Sequence, residues 1–388
     1  MASRLLFDAL VLRTLTTLLL IMSGCGPSPL PEPCAGPVES AAPTLAAGPG
    51  GATFEYGAEG LPEGLFVRHF DADGALSWTV ALKAPRLPSQ TVLVAAGDTA
   101  LVVADDTIDE AVTAVRHGAI TWSAKSSFAC RKSVVERVAD GVRVWGRNDA
   151  TNSMCSYHVG SDGTFDDLVT YDADVGFDGY SAPGGGFVVN AKEGLVGYDA
   201  AGMRRWAHAG TYAGDVVFAA GAIWTFRWDD SAATLVRVGL DGEGEHTIVA
   251  FRHDVGDSGN THLVLRLVPT SDGVIAAVEH DYDYKHELTR ANAAGVVWSH
   301  ALDNLAGTPV GGVALGANLL LVRGGNSLAA YDLDGNLRWQ TAAVLDGVLA
   351  GDDRAHVADN QSLDACRAVL RMRTLDAGGG VQSTWSAR

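Results

Sequence analysis

The stretch AAYDLDGNLRWQTA, residues Ala329–Ala342, holds a turn signal, Asp334-Gly335, and a tryptophan, Trp339, four residues beyond the glycine. Glycine after aspartate supplies the positive φ that a tight turn needs, and the alternating apolar residues on either side read as strands. The pattern recurs along the chain. DADGALSWTV carries Trp78, VRHGAITWSA Trp122, DAAGMRRWAH Trp206, ANAAGVVWSH Trp298 and DAGGGVQSTW Trp385. Two weaker copies, GSDGTFDDLV around Gly163 and GLDGEGEHTI around Gly242, keep the turn and lose the indole.

The turn glycines fall at 74, 118, 163, 202, 242, 295, 335 and about 378, which makes the intervals 44, 45, 39, 40, 53, 40 and 43 residues. That is the length of one four-stranded propeller blade. Inside the intervals lie further turns flanked by apolar or alternating runs, such as VLVAAGDTALVVA, VERVADGVRVWG and GVALGANLLLVRG. Each unit therefore reads as strand, tight turn, strand, loop, strand, turn glycine and tryptophan strand. The expected fold is all-β: an eight-bladed β-propeller of four-stranded blades over residues 52–388. Only ATFEY and GLFVRHFDAD precede the first tryptophan strand, which leaves the first blade one strand short, so seven blades with an N-terminal appendage is the alternative. A ring left open exposes strand edges, so the chain ends are expected to meet.

An apolar strand, Asp-x-x-Gly and a tryptophan on the next strand resemble the pyrroloquinoline-quinone-like (PQQ-like) propeller repeat, with AAYDLDGNLRWQTA the best copy. The resemblance implies that Trp78, Trp122, Trp206, Trp298, Trp339 and Trp385 dock each blade on its neighbour. A flat ring that covers much apolar area and carries one N–H donor suits that task. Quinone dehydrogenases of this repeat carry adjacent cysteines, a catalytic aspartate and calcium ligands. No Cys-Cys pair occurs here, so the resemblance carries the fold and not the cofactor.

The N-terminal MASRLLFDALVLRTLTTLLLIMSGCG places arginines first, then an apolar run from about Leu15 to Met22, then small residues before Cys25. This is the order of an export signal, too short for a permanent transmembrane helix. Met22-Ser23-Gly24-Cys25 resembles the lipobox of bacterial lipoproteins. It implies removal of residues 1–24, a diacylglyceryl group on the Cys25 sulfur and acylation of the new amine; several acyl chains anchor a protein durably. An ordinary secretory signal cut near Ser40-Ala41-Ala42 is the alternative. Residues 25–51, rich in proline, alanine and glycine, read as a flexible tether without secondary structure. Gly26 after the lipidated cysteine favours the outer membrane by the sorting habit of enteric bacteria.

The formal charge is −18, with 46 acidic against 28 basic residues, and hydrophobic residues make up 47%. A polyanionic surface disfavours nucleic acid and anionic headgroups and admits cations or basic partners. Beyond Cys25 the remaining cysteines are Cys34, Cys130, Cys155 and Cys366, an even number in an oxidising compartment. Cys130 and Cys155 share one unit and are expected to bridge. Cys34 and Cys366 lie near opposite chain ends that a closed ring brings together and form a second candidate pair, with buried free cysteine as the alternative.

Four segments offer chemistry. GDSGN at 256–260 resembles the nucleophile segment of chymotrypsin-like proteases around Ser258, but lacks the last glycine and an upstream histidine motif. EHDYDYKHE gathers His280, Asp281, Asp283, His286 and Glu287, yet reads as a charged hairpin loop. The Asp71–Gly74 and Asp332–Gly335 turns start like calcium loops and lack the later ligands. The sequence thus names no catalytic residue, metal site or cofactor. It leads to a non-catalytic, lipid-anchored propeller of the bacterial cell envelope that binds or scaffolds an envelope protein, by analogy with the lipoprotein propeller that assists outer-membrane β-barrel assembly. An enzyme, or a binder of a small ligand or carbohydrate in the central channel, is the alternative.

Overall fold

The computed structural model describes residues 44–386 apart from 59–64, 83–90, 107–108, 129, 149, 175–177, 230–231, 253–262, 281–284, 303–309, 343, 350–352 and 363–367. Eight four-stranded antiparallel meanders form an eight-bladed propeller. The blades span 44–81, 91–125, 131–174, 178–209, 211–252, 263–301, 310–342 and 344–386. First strands of successive blades neighbour one another around the axis, and fourth strands form the rim. In such meanders the first-to-second and third-to-fourth turns share one face, called here the turn face.

The first blade is complete, contrary to the expectation from sequence. Its missing strand is Thr44–Ala47, inside the stretch read as tether, and it pairs antiparallel with Thr53–Ala58. TLAA is too short and too small in its side chains to show a period of two. It is also the innermost strand, touching those of the second and the last blade.

The core is laminar. Eight apolar clusters are found, one at each junction between successive blades. The layer between blades 5 and 6 holds thirteen buried residues among those described, whereas the closing layer between blades 8 and 1 holds three, Phe70, Ala358 and Met372. Polar bonds supplement this seam: the Leu45 amide donates to Asp346 Oδ2 at 2.8 Å, and Arg354 Nη1 donates to the Ala72 carbonyl and Asp73 Oδ1 at 2.9 Å.

Every third-to-fourth strand pair contains a register shift. In blades 1, 2, 4, 6 and 7 the extra residue directly precedes the indole, for example Val297 before Trp298. A bulge adds local twist and re-aims the next side chain; here it turns the indole onto the next blade. Gly335 shows what that requires of the turn. Its φ is +83°, and a Cβ there would collide with the His300 ring and lie 3.1 Å from Trp298 Cζ3. Gly295 also has a positive φ, +130°, yet nothing lies within 4 Å of its would-be Cβ. Gly335→Ala is therefore expected to cost about 1 kcal/mol more than Gly295→Ala, since both bear the backbone strain and only the first displaces an aromatic pair. Urea unfolding of the two variants followed by tryptophan fluorescence measures the difference.

Candidate functional site

The six repeat tryptophans lie at blade junctions. Trp78 packs on the Gly118 turn, Trp122 on Gly163, Trp206 on Gly242, Trp298 on Gly335 and Trp339 on Gly379, each in the next blade. Trp385 closes the ring, edge-on to Phe70 of blade 1 at 5.3 Å with the Arg68 guanidinium 4.7 Å over its ring. Trp122 Nε1 donates to the Ser161 carbonyl at 2.9 Å and Trp298 Nε1 to the Leu333 carbonyl at 3.0 Å. In both, the acceptor stands two residues before the turn glycine. A second ring nitrogen reinforces two junctions: His208 and His300, two residues after their tryptophans, bond the Gly242 and Asp334 carbonyls through Nε2.

Blades 3 and 5 lack the tryptophan, and a different bond appears there. The inner strand of blade 3 carries Glu136, which accepts the Ser181 amide at 3.0 Å and the Ser181 hydroxyl at 2.8 Å from blade 4, and Trp145 Nε1 at 3.0 Å. The inner strand of blade 5 carries Asp215, which accepts the Leu267 amide of blade 6 at 2.9 Å. Asp346 does the same for Leu45 at the ring closure. Burial pushes the carboxyls of Asp215 and Asp346 up, opposed by those amides and by Arg266 and Arg323. These three acids were missed in the sequence, although each is a lone carboxylate in an apolar strand: VVERV, GDVVF and LDGVL. They serve as latches between inner strands: Glu136 and Asp215 at the two junctions without the ring contact, and Asp346 at the closure beside Trp385.

Among the described residues, three clefts on the turn face each lie between two blades. One of about 500 Å³ lies between blades 2 and 3 and is lined by Asp98, Arg116, Trp122, Asp140 and Asp162. One of about 630 Å³ between blades 7 and 8 is lined by Asp332, Asp334, Arg338 and Asp353. The third, about 570 Å³ between blades 8 and 1, is lined by Asp73, Arg354, Asp376 and Gln382. Aspartates outnumber arginines three to one, three to one and two to one. Each arginine is already paired, Arg116 with Asp98, Arg338 with Asp332 at 3.0 Å and Arg354 with Asp73 at 2.9 Å.

The calcium-like turns are Asx turns. Asp71, Asp199, Asp332 and Asp376 each accept two amides of their own turn through Oδ1 at 2.8–3.0 Å. Among the described residues no three His, Cys, Asp or Glu side chains converge to hold a metal. EHDYDYKHE is only partly a loop: Glu279 and His286 are buried cross-strand partners in blade 6, while Asp281 and Asp283 lie outside the described residues. Ser258, Cys25, Cys34 and Cys366 also lie outside them. Cys130 and Cys155 are joined in a disulfide that ties the entry of blade 3 to its third strand.

All eight large hydrophobic side chains exposed among the described residues sit on a fourth strand or in the turn entering it: Ile120, Leu168, Met203, Leu240, Val296, Val297, Leu337 and Val381. Every blade from the second to the eighth shows at least one.

No protein-family model and no curated protein matches the sequence. Among solved structures the chain is similar to apo AztD from Citrobacter koseri, with a TM-score of 0.54 and 12% identity over 83% of this chain and 92% of that one. It is also similar to the dihydro-heme d1 dehydrogenase NirN in complex with DHE, with a TM-score of 0.53 and 13% identity over 77% of this chain and 65% of NirN. At these identities the similarity is one of fold.

Two outcomes follow from the site. Asp199 and Asp376 are held below the usual carboxylate range, first by the Met203 and Gly380 amides respectively. A depressed folded-state pKa adds stability above the ordinary value of about 3.9 that is lost as pH falls through the lower folded value. Asp376→Asn should therefore show a shallower loss of melting temperature than wild type below about pH 4. Cys155→Ala should lower the free energy of unfolding by about 3 kcal/mol, given a closed loop with a sequence separation of 25. Wild type in reductant should fall to the level of the variant, which reductant leaves unchanged.

Proposed function

We propose that the chain is a lipid-anchored propeller of the bacterial cell envelope that binds a protein partner and performs no chemistry of its own. The observation that carries the reading is the rim: large apolar side chains stand exposed at corresponding positions of blade after blade, where a partner would cover them. Isolated exposed hydrophobics are ordinary, but here all eight lie on a fourth strand or in the turn entering it, and Ile120, Val297, Leu337 and Val381 each stand two residues after the turn glycine of their blade. Glu136, Asp215, Asp346, Trp122 and Trp298 are committed to blade-to-blade bonds, which supports a structural role for these groups. The anchor is proposed from Met22-Ser23-Gly24-Cys25, and the outer membrane from Gly26.

Crosslinking of the full chain in intact envelopes should recover one envelope protein in near-stoichiometric amount. Recovery of none would overturn the binding role. Cys25→Ser should move the chain from the membrane pellet to the soluble fraction, and retention in the pellet would overturn the anchor.

A further inference from the structure

We infer that the docking surface lies across blade 8 on the turn face, and that its occupant is a basic, amphipathic segment of a partner protein. The inference rests on the binding role proposed above and adds the place and the chemistry. The clefts on either side of blade 8 adjoin, with Ala377 lining both. Together they present Asp73, Asp332, Asp334 and Asp376 against Arg338 and Arg354, four acids to two bases, while Asp353 lies buried at the cleft floor with its carboxylate bonded to Asn318 and the Leu319 amide. Exposed apolar side chains flank the clefts in sequence: Leu337, 48% exposed, precedes Arg338 of the first cleft, and Val381, 54% exposed, precedes Gln382 of the second.

A partner that fits must place cationic groups in the clefts and aliphatic groups on Leu337 and Val381. Nucleic acid and acidic peptides meet like charge, and a small cation leaves these two side chains uncovered. Two further features point to this junction. Asp332 and Asp376 are fixed by their own turn amides, so the charge is held in place before binding. Trp339 is buried under the Gly379 turn with its Nε1–H unpaired, whereas Trp122 and Trp298 pin the equivalent turns of blades 3 and 7 through that atom. The turn shared by the two clefts thus lacks the indole tie that those two turns have, which leaves the Trp339 Nε1–H beneath it without an acceptor.

The test uses the full chain in detergent and three fluorescent peptides of equal length, alternating Lys–Leu, Lys–Ser and Glu–Leu, read by anisotropy. The Lys–Leu peptide is expected to bind at least tenfold more tightly than either of the others and to weaken with added salt. Leu337→Ser with Val381→Ser, and separately Asp334→Asn with Asp73→Asn, should each weaken it fivefold or more. Ile120→Ser at the distant cleft should leave it unchanged. Unaltered melting temperatures show that the variants fold. Equal binding of the Glu–Leu peptide, or binding indifferent to both blade 8 variants, overturns the inference. If crosslinking recovers an envelope partner whose capture survives Leu337→Ser with Val381→Ser, the binding role stands and this location falls.

Discussion

The contact on which the architecture depends is an indole lying across the turn glycine of the next blade. A four-stranded meander has two apolar faces and cannot bury either alone; it needs a neighbour on both sides. The clusters between blades supply the area, and the indole supplies the register. The ring is large enough to cover the turn backbone only if no side chain stands there, and its donor reaches the carbonyl two residues before the glycine in the best-formed cases. At the five junctions where it forms, one pair of residues 36 to 41 positions apart therefore sets where one sheet sits on the next.

The two junctions that lack the ring show that the constraint is positional. Val169 stands against Gly202 where blade 3 would offer its tryptophan, and nothing meets Gly295 from blade 5. Both junctions are tied from the axis instead, by Glu136 and Asp215, whose carboxylates take an amide of the neighbouring inner strand. Asp346 repeats the device at the closure, where the apolar layer is thinnest among the described residues. A buried carboxylate is a costly latch, which is consistent with the raised pKa of the two aspartates. A charge-assisted bond to a backbone amide offsets part of that cost.

The repeat was legible because its two markers are chemically loud: glycine at a positive φ and tryptophan on an otherwise modest strand. Their spacing alone gave the blade count. The strand at Thr44–Ala47 was not legible, since four small or aliphatic residues inside a proline-rich run carry no alternation. The carboxylate latches were visible only as single acids in apolar strands, a pattern that means nothing until the neighbouring amide is in view. The loop-like EHDYDYKHE misled for the opposite reason: its charged letters suggest solvent, while pairing in blade 6 takes Glu279 and His286 inside. The rim hydrophobics escaped attention because each, alone, is an ordinary strand residue.

Each sheet is built from one continuous stretch of chain, so no blade is shared between the two termini. Many rings fasten themselves by letting one end of the chain complete a sheet begun by the other. Here the closure uses apolar packing and bonds between side chains and backbone, and the first strand is only four residues long and innermost in its blade. A load applied at the N-terminal end enters through those four residues, directly beside the thinnest apolar layer. Under tension the molecule would part along the line between its first and last blades, uncoiling like a cut washer, while the other seven junctions kept their grip.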